Sequence, residues 1–400
     1  MTRTSLLLTL NILLLEKILR ILLPNKINPV NAYHLLVAVI NNIKLTKDQE
    51  EHALQLHKKS IVIDALQGVL AADPDRYFPE FNEGGVTACL QDIGGGTDVS
   101  PYPEVIPGNF KTNVAGLNNL RKTVKGHPDK FVFVEHAEDI KGAKREGKIA
   151  LVPHMQACSA AIEDNLSYLS ALHRLGLKII QLTYNSQTPV GTGCCEPVDT
   201  GLTPFGMEVV EEMNKIGVVI DVSHASDRTI NDAIEHSRDP IIESHSSSHA
   251  IFPSPRNTTD ETIKALAEKG GVIGLCVWPP LLSQDQSKKQ STVNMFLDHI
   301  DHVTELVGVD HVGISTDTNW KGIDEGWCSQ TMMYWRRDRP DVYGYDKPLN
   351  LYPPPVLGLE RESKLPNITK GLVSSGYTDQ EIQKIWGGNW LRVLRKVWGR

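Results

Sequence analysis

Cysteine is sparse: the 400-residue chain has 6, and no two of them stand in a CxxC spacing. That usage excludes a disulfide-stapled scaffold and argues against a structural zinc knuckle. Basic runs are missing as well. The net charge is −7, spread along the chain, which speaks against a nucleic-acid partner. No GxGxxG follows the first candidate strand, and the GGG at 94–96 lacks the required spacing, so dinucleotide binding is not indicated. There is no internal repeat and no low-complexity tract. Beyond Pro24 no apolar run approaches the ~20 residues that span a bilayer.

The N-terminus reads MTRTSLLLTLNILLLEKILRILLPNK. Its apolar run, Leu6 to Leu15, is too short to cross a membrane alone, and Glu16, Lys17 and Arg20 follow it. No small-x-small cleavage pattern comes after it. Three readings stand: an uncleaved helix that touches a membrane peripherally through residues 5–23, a signal-type export segment, or an amphipathic helix packed on the protein itself. Membrane association or export is favoured over a purely cytoplasmic location. The chain divides into this segment, 1–44, and one domain, 45–400.

With 40% hydrophobic residues the chain has ample material for a large core. Short Val- and Ile-rich runs alternate with charged segments of helical period. Eight runs read as strands: 61–64, 86–91, 149–154, 177–184, 217–223, 240–244, 271–277 and 311–317. The clearest helices are 163–176, 203–217, 227–237, 260–271 and 294–308. Gly176, Gly217 and Gly308 stand where helix ends are expected. Eight apolar strands alternating with helices predict an α/β fold of parallel type, a closed (β/α)8 TIM barrel rather than an open sheet. The stretch 320–365, with WRRDRPD and YPPP, reads as a long loop over the barrel mouth.

In such a barrel the chemistry sits where strands end. Strand one ends on Asp64, strand four on Tyr184 and Asn185, strand five on His224, strand six on His245 and strand eight on Asp317. Adjacent strands lie ~4.8 Å apart, so His224 and His245 can converge on one cation, with Asp317 across the barrel. Nitrogen ligands, a carboxylate and an open position suit zinc-assisted hydrolysis. One histidine after a strand is more often a cap, and Ser223-His224 can serve the helix starting near Asp227. Two on neighbouring strands shift the balance. Arg256-Asn257 lies in a loop on the same face, where an arginine can clamp a carboxylate or simply face solvent. Cys194-Cys195 is read as buried and inert, with a thiolate ligand or nucleophile as the alternative. His154 is ambiguous; His249 reads as a loop residue, and His173, His236, His299 and His302 as surface positions of helices.

LHKKSIVID, EGGVTA, LHRLGLKIIQLTYN, GLTPFGMEVVEEMNKIGVVIDVSHAS, PIIESHSSSHA, PRNTTDETIKALAEKGGVIGL, HVGISTD and GGNWLRV occur in an order that resembles the membrane (renal) dipeptidase family, in a divergent bacterial-type branch. The resemblance runs from about residue 50 to the C-terminus. It implies a metal-dependent hydrolase of dipeptides, a zinc centre and a homodimer. It places His224 and His245 on the two histidine ligands, Asp317 on the strand-eight aspartate and Arg256 on the arginine that meets the substrate carboxylate. The family's HxD after strand one falls on Leu66 and Gly68, which offer no side-chain ligand. Its bridging glutamate falls on Gln156, and its substrate-contacting histidine on Tyr184. Fewer negative ligands leave the repulsion of two Zn2+ ions uncompensated, so one Zn2+ is expected, on His224 and His245 with Gln156 or Asp317. Asp317 is the expected base, Tyr184 an oxyanion donor, and Arg256, Asn257 and Tyr184 the substrate contacts. Two alternatives remain: another small-molecule reaction on the same barrel, or a metal-free barrel that has lost peptidase activity.

Overall fold

The computed structural model describes residues 43–93, 108–282, 290–317, 339–343 and 354–399. The N-terminal segment apart from residues 43 and 44, the GGG at 94–96 and most of 320–365 lie outside them. Among the described residues no helix is long and apolar enough to cross a membrane.

Among the described residues nine strands form one parallel sheet: β1 Val62–Gln67, β2 Val86–Asp92, β3 Phe131–Phe133, β4 Ile149–Met155, β5 Ile179–Gln181, β6 Val219–Asp221, β7 Ile242–Ser246, β8 Val272–Cys276 and β9 Val312–Ser315. The order is β1-β2-β4-β5-β6-β7-β8-β9, with β3 added at the edge of β4. All eight expected strands form, most of them shorter at one or both ends. The short β3, FVF, was not expected from the sequence, because three residues carry no period. The expected helix 163–176 begins later, at Ser167, behind a separate turn of helix, Ser159–Ile162.

The strands form because their runs are branched and buried on both faces. Ile63, Ala88, Val152, Val219, Ile242 and Val272 make one inner cluster. Their sequence neighbours Val62, Cys89, Leu151, Ile220 and Ile273 face a second cluster under the helices. The C-terminal helix Asn389–Trp398 closes the inner cluster with Trp390, Leu391 and Leu394. Room for the indole comes from Gly313, where an added Cβ would lie 2.4 Å from the Trp390 ring. The loop ends are set locally. In the helix Pro204–Ile216, the Thr203 side chain accepts from the Gly206 N–H, and Gly217 ends it at φ 77°.

No extended ladder joins the last strand to the first; side chains and one backbone bond do. Asp317 N–H donates to the Leu66 carbonyl at 3.2 Å. Thr316 donates from its N–H and its hydroxyl to the two Asp64 carboxylate oxygens, at 2.8 and 2.7 Å. Asp64 is thus the clasp of the barrel, and burial pushes its carboxyl up from 3.8 to about 6 against those hydrogen bonds.

Two outcomes are expected. Trp390→Ala should lower the unfolding free energy by about 3–5 kcal/mol in urea titration, the cost of emptying a large aromatic site. Asp64 binds its proton more tightly folded than unfolded. Its contribution is therefore complete below about pH 4 and fades as pH rises through about 6. Stability should fall across that window by on the order of 3 kcal/mol, and Asp64→Asn should flatten that part of the profile.

Candidate active site

Alternation along β4, β6 and β7 carries His154, Asp221 and Ser244 onto the inner face used by Val152, Val219 and Ile242. Asp221 is fully buried and accepts from His154 Nε2 at 2.8 Å, the Ser223 and Ser244 N–H groups at 3.0 Å each, and the Ser244 hydroxyl at 2.5 Å. Burial works against its charge, but the bond to His154 wins and holds the carboxyl well below the usual range.

This anchor sets the histidine pair. The Ser244 hydroxyl hydrogen goes to Asp221, so Ser244 Oγ accepts from His245 Nδ1 at 2.7 Å. His224 Nδ1 donates to Asn185 Oδ1 at 2.7 Å. Both Nδ1 protons are therefore committed, and the two Nε2 atoms face each other at 2.9 Å. That is the second-sphere arrangement by which proteins present imidazole lone pairs to a metal ion. Burial, with the charge of Arg256 next, pushes both rings well below their ordinary pKa, which keeps them neutral and able to ligate.

The backbone is strained at the same end of the barrel. Of six non-glycine residues at positive φ among the described residues, four follow strand ends: Ala157 (53°), Asn185 (56°), His224 (63°) and Asp317 (45°). Such conformations persist where the surroundings over-determine them, and they gather at functional sites. The helix Asp227–His236 is capped by Ser226, not by Ser223 or His224, so His224 is left to the pocket.

Around the pair, Tyr184 stacks on His224 with centroids 4.1 Å apart and planes at 20°. Arg256 is buried and donates to the His245 carbonyl. Asp317 lies at the mouth; burial raises its carboxyl to about 7, with Asp64 and Asp92 adding and Arg256 opposing. Gln156 donates to Asp92 at 3.2 Å. Asn257 uses its amide N–H groups on the Phe252 and Leu281 carbonyls, which ties the Arg256 loop to the turn after β8. Leu66 is buried and Gly68 has no side chain to offer, so β1 sends no ligand of its own. Among the described residues no group of three or more His, Cys, Asp and Glu is placed to hold a metal ion. What these residues bring together is one pair of imidazole nitrogens, those of His224 and His245.

Several positions went unread in the sequence. Asp92, at the end of β2, acts by its charge on Tyr184 and Asp317. Ser244 and Asp221 orient the His245 ring, and Asn185, read in the sequence only as a strand end, orients His224; the signal for Ser244 was a hydroxyl one position before the histidine, and for Asp221 an acid at the end of the neighbouring strand. His299, expected at the surface, is fully buried and accepts from the Ser248 N–H at 3.1 Å, holding the loop after β7. Cys194 and Cys195 are buried, as expected. A cavity of about 420 Å3 lined by His57, Lys58, Lys144 and Lys148 opens at the other end of the barrel, remote from these strand ends.

The family model of membrane dipeptidase (peptidase family M19) matches residues 51–329 and 352–398. The dipeptidase tcpJ of Claviceps purpurea is 30% identical over 283 residues, 70% of this chain and 59% of that protein. An uncharacterized dipeptidase of Schizosaccharomyces pombe is 29% identical over 287 residues, 70% of this chain and 61% of that protein. The chain therefore matches less than two thirds of the length of either relative. An amidohydrolase from Pseudomonas aeruginosa superposes with a TM-score of 0.72 at 30% identity, over 87% of this chain and 99% of that one. A metallopeptidase from Rhodobacter sphaeroides, solved with a phosphinate mimic of the dipeptide L-Ala-D-Ala, shares the fold at TM-score 0.67 and 21% identity, over 85% and 100%. With the match running from the helix before β1 to the C-terminal helix, the chain belongs to the membrane dipeptidase family.

Proposed function

We propose that the protein is a metal-dependent hydrolase that cleaves a dipeptide or a related small amide, with one resident ion at most. The observation that carries this reading is the pair of Nε2 atoms 2.9 Å apart whose Nδ1 protons are both given away. Two bare lone pairs that close repel unless a cation lies between them.

His224 and His245 would hold a single Zn2+, with Gln156 or Asp317 completing the set, and the ion would lower the pKa of a water to ~7 and polarise the scissile carbonyl. The rest falls to the protein. Arg256, fixed on the His245 carbonyl, pairs with the substrate carboxylate and sets its register. Asp317, poised near 7, takes the proton of the attacking water at a carboxylate oxygen and passes it to the leaving amine. Tyr184 keeps its proton, because burial raises its hydroxyl, and donates a hydrogen bond to the developing oxyanion. Asn257 holds the arginine loop in place.

The lack of a three-residue ligand group among the described residues favours a second reading, a barrel that binds its small amide without metal. Hydrolysis of a dialanine substrate with and without chelator separates the two. Chelation should abolish turnover and added zinc should restore it. His224→Ala should lose its metal by elemental analysis and at least ~10²-fold in kcat/KM, as should Asp317→Asn. Turnover unaffected by chelator, or equal metal in wild type and His224→Ala, overturns the proposal.

A further inference from the structure

The adjacent thiols of Cys194 and Cys195 are not used by the mechanism above. Their sulfur atoms lie 4.0 Å apart at the barrel mouth. They are 9% and 8% exposed, in an apolar cluster with Cys276, Trp278, Leu281 and Val342. The backbone beneath them is clamped. Cys194 N–H donates to the His224 carbonyl and Cys195 N–H to the Asn185 carbonyl, both at 2.8 Å. Gly193 lets that approach happen, since a Cβ there would lie 2.2 Å from the Asn185 carbonyl carbon. The Cys194 thiol points at Asn185 Oδ1, 3.6 Å away, the same oxygen that receives His224 Nδ1–H.

We propose that Cys194 and Cys195 form a modifiable dithiol, closed by peroxide to an intramolecular disulfide that disturbs the Asn185–His224 contact. The chemistry balances. One thiolate attacks a peroxide oxygen, the O–O bond breaks, and a sulfenic acid and water result. The second thiol attacks that sulfur, the S–O bond breaks, and a second water leaves. Two sulfurs supply the two electrons that peroxide accepts. The sulfurs must approach from 4.0 Å to ~2.05 Å. Because the backbone is held at both N–H groups, side-chain rotation must supply the movement, and it draws Cys194 Sγ away from Asn185. Adjacent Cα atoms lie ~3.8 Å apart, below the ordinary span of a disulfide, so the ring is strained and easily reduced. Strained, reducible disulfides are the regulatory kind.

The consequence for turnover rests on the proposed hydrolase reading; the modification itself does not. The full chain is treated with a few equivalents of hydrogen peroxide, alkylated and mapped by mass spectrometry. A loss of 2 Da confined to the peptide holding both residues, reversed by dithiothreitol and absent in Cys195→Ser, is expected, since a disulfide removes two hydrogens. The 15N signals of the imidazoles should report the change at His224 in wild type only. Dipeptide hydrolysis should fall with closure by at least threefold, return with dithiothreitol and stay constant in Cys195→Ser. A bridge from either residue to Cys276 or to Cys328, which lies outside the described residues, overturns the proposal. So does over-oxidation to sulfinic acid without loss of 2 Da, or an unchanged His224 signal. If the reduced protein hydrolyses no dipeptide, the hydrolase reading fails while the mass and imidazole measurements still decide the dithiol.

Discussion

Two neutral imidazoles are held with their acceptor nitrogens face to face, and much of the upper barrel exists to keep them so. Left alone the arrangement is unfavourable, because neither Nε2 has a hydrogen to offer the other. A buried carboxylate fixes one ring through a serine, and a buried amide fixes the other. Asp221 is itself costly to bury and is stabilised only by four hydrogen bonds from three residues. Removing one member leaves its partners unsatisfied in a low-dielectric interior, which is why such networks are kept whole or not at all.

The barrel separates this cost from its stability. Lower down, the inner face is alanine and branched aliphatic, closed by Trp390 seated over Gly313. Toward the strand ends the same face turns polar, and the backbone there adopts left-handed conformations at four positions. The apolar floor supplies burial; the rim holds the strain. Asp64 sits at the seam between the two and joins the first strand to the last, so closure of the sheet and the charge state of the rim are linked through one carboxylate.

Strand number, barrel class and the convergence of His224 with His245 were legible because they follow from period and from the rule that parallel strands end on one face. Asp317 was read from the same strand-end rule, whereas Arg256 was read from a loop on that face and from the family resemblance; the roles of both belong to the proposed function. What the pattern did not disclose was contact between residues distant in sequence. Nothing in QDI marks Asp92 as a charge felt at Asp317, and nothing in FLDHIDHV marks His299 as buried: a histidine on an amphipathic helix is ambiguous until its partner, the Ser248 N–H, is known. β3 has only three residues and was invisible to periodicity. The helix cap is Ser226 because the helix begins at Asp227, three residues beyond His224, and the Ser223 hydroxyl instead accepts from the His245 N–H.

Electrostatics decides what the site can hold. The fixed cation nearest in effect to both histidines is Arg256, which depresses each of them and also pulls Asp317 downward. A divalent ion on the imidazole pair, as proposed, would feel that guanidinium, and Asp317 is the one carboxylate offered in the same ligand group. In that proposal the balancing negative charge would come from Asp317, on which Asp64 and Asp92 also act. Asp317, held near 7, changes its charge close to neutrality, so under the proposed function the residue that acts as base would also balance the ion. Under the proposed function, occupancy by a cation and ionisation of Asp317 would be one coupled equilibrium, because the ion would favour the carboxylate form.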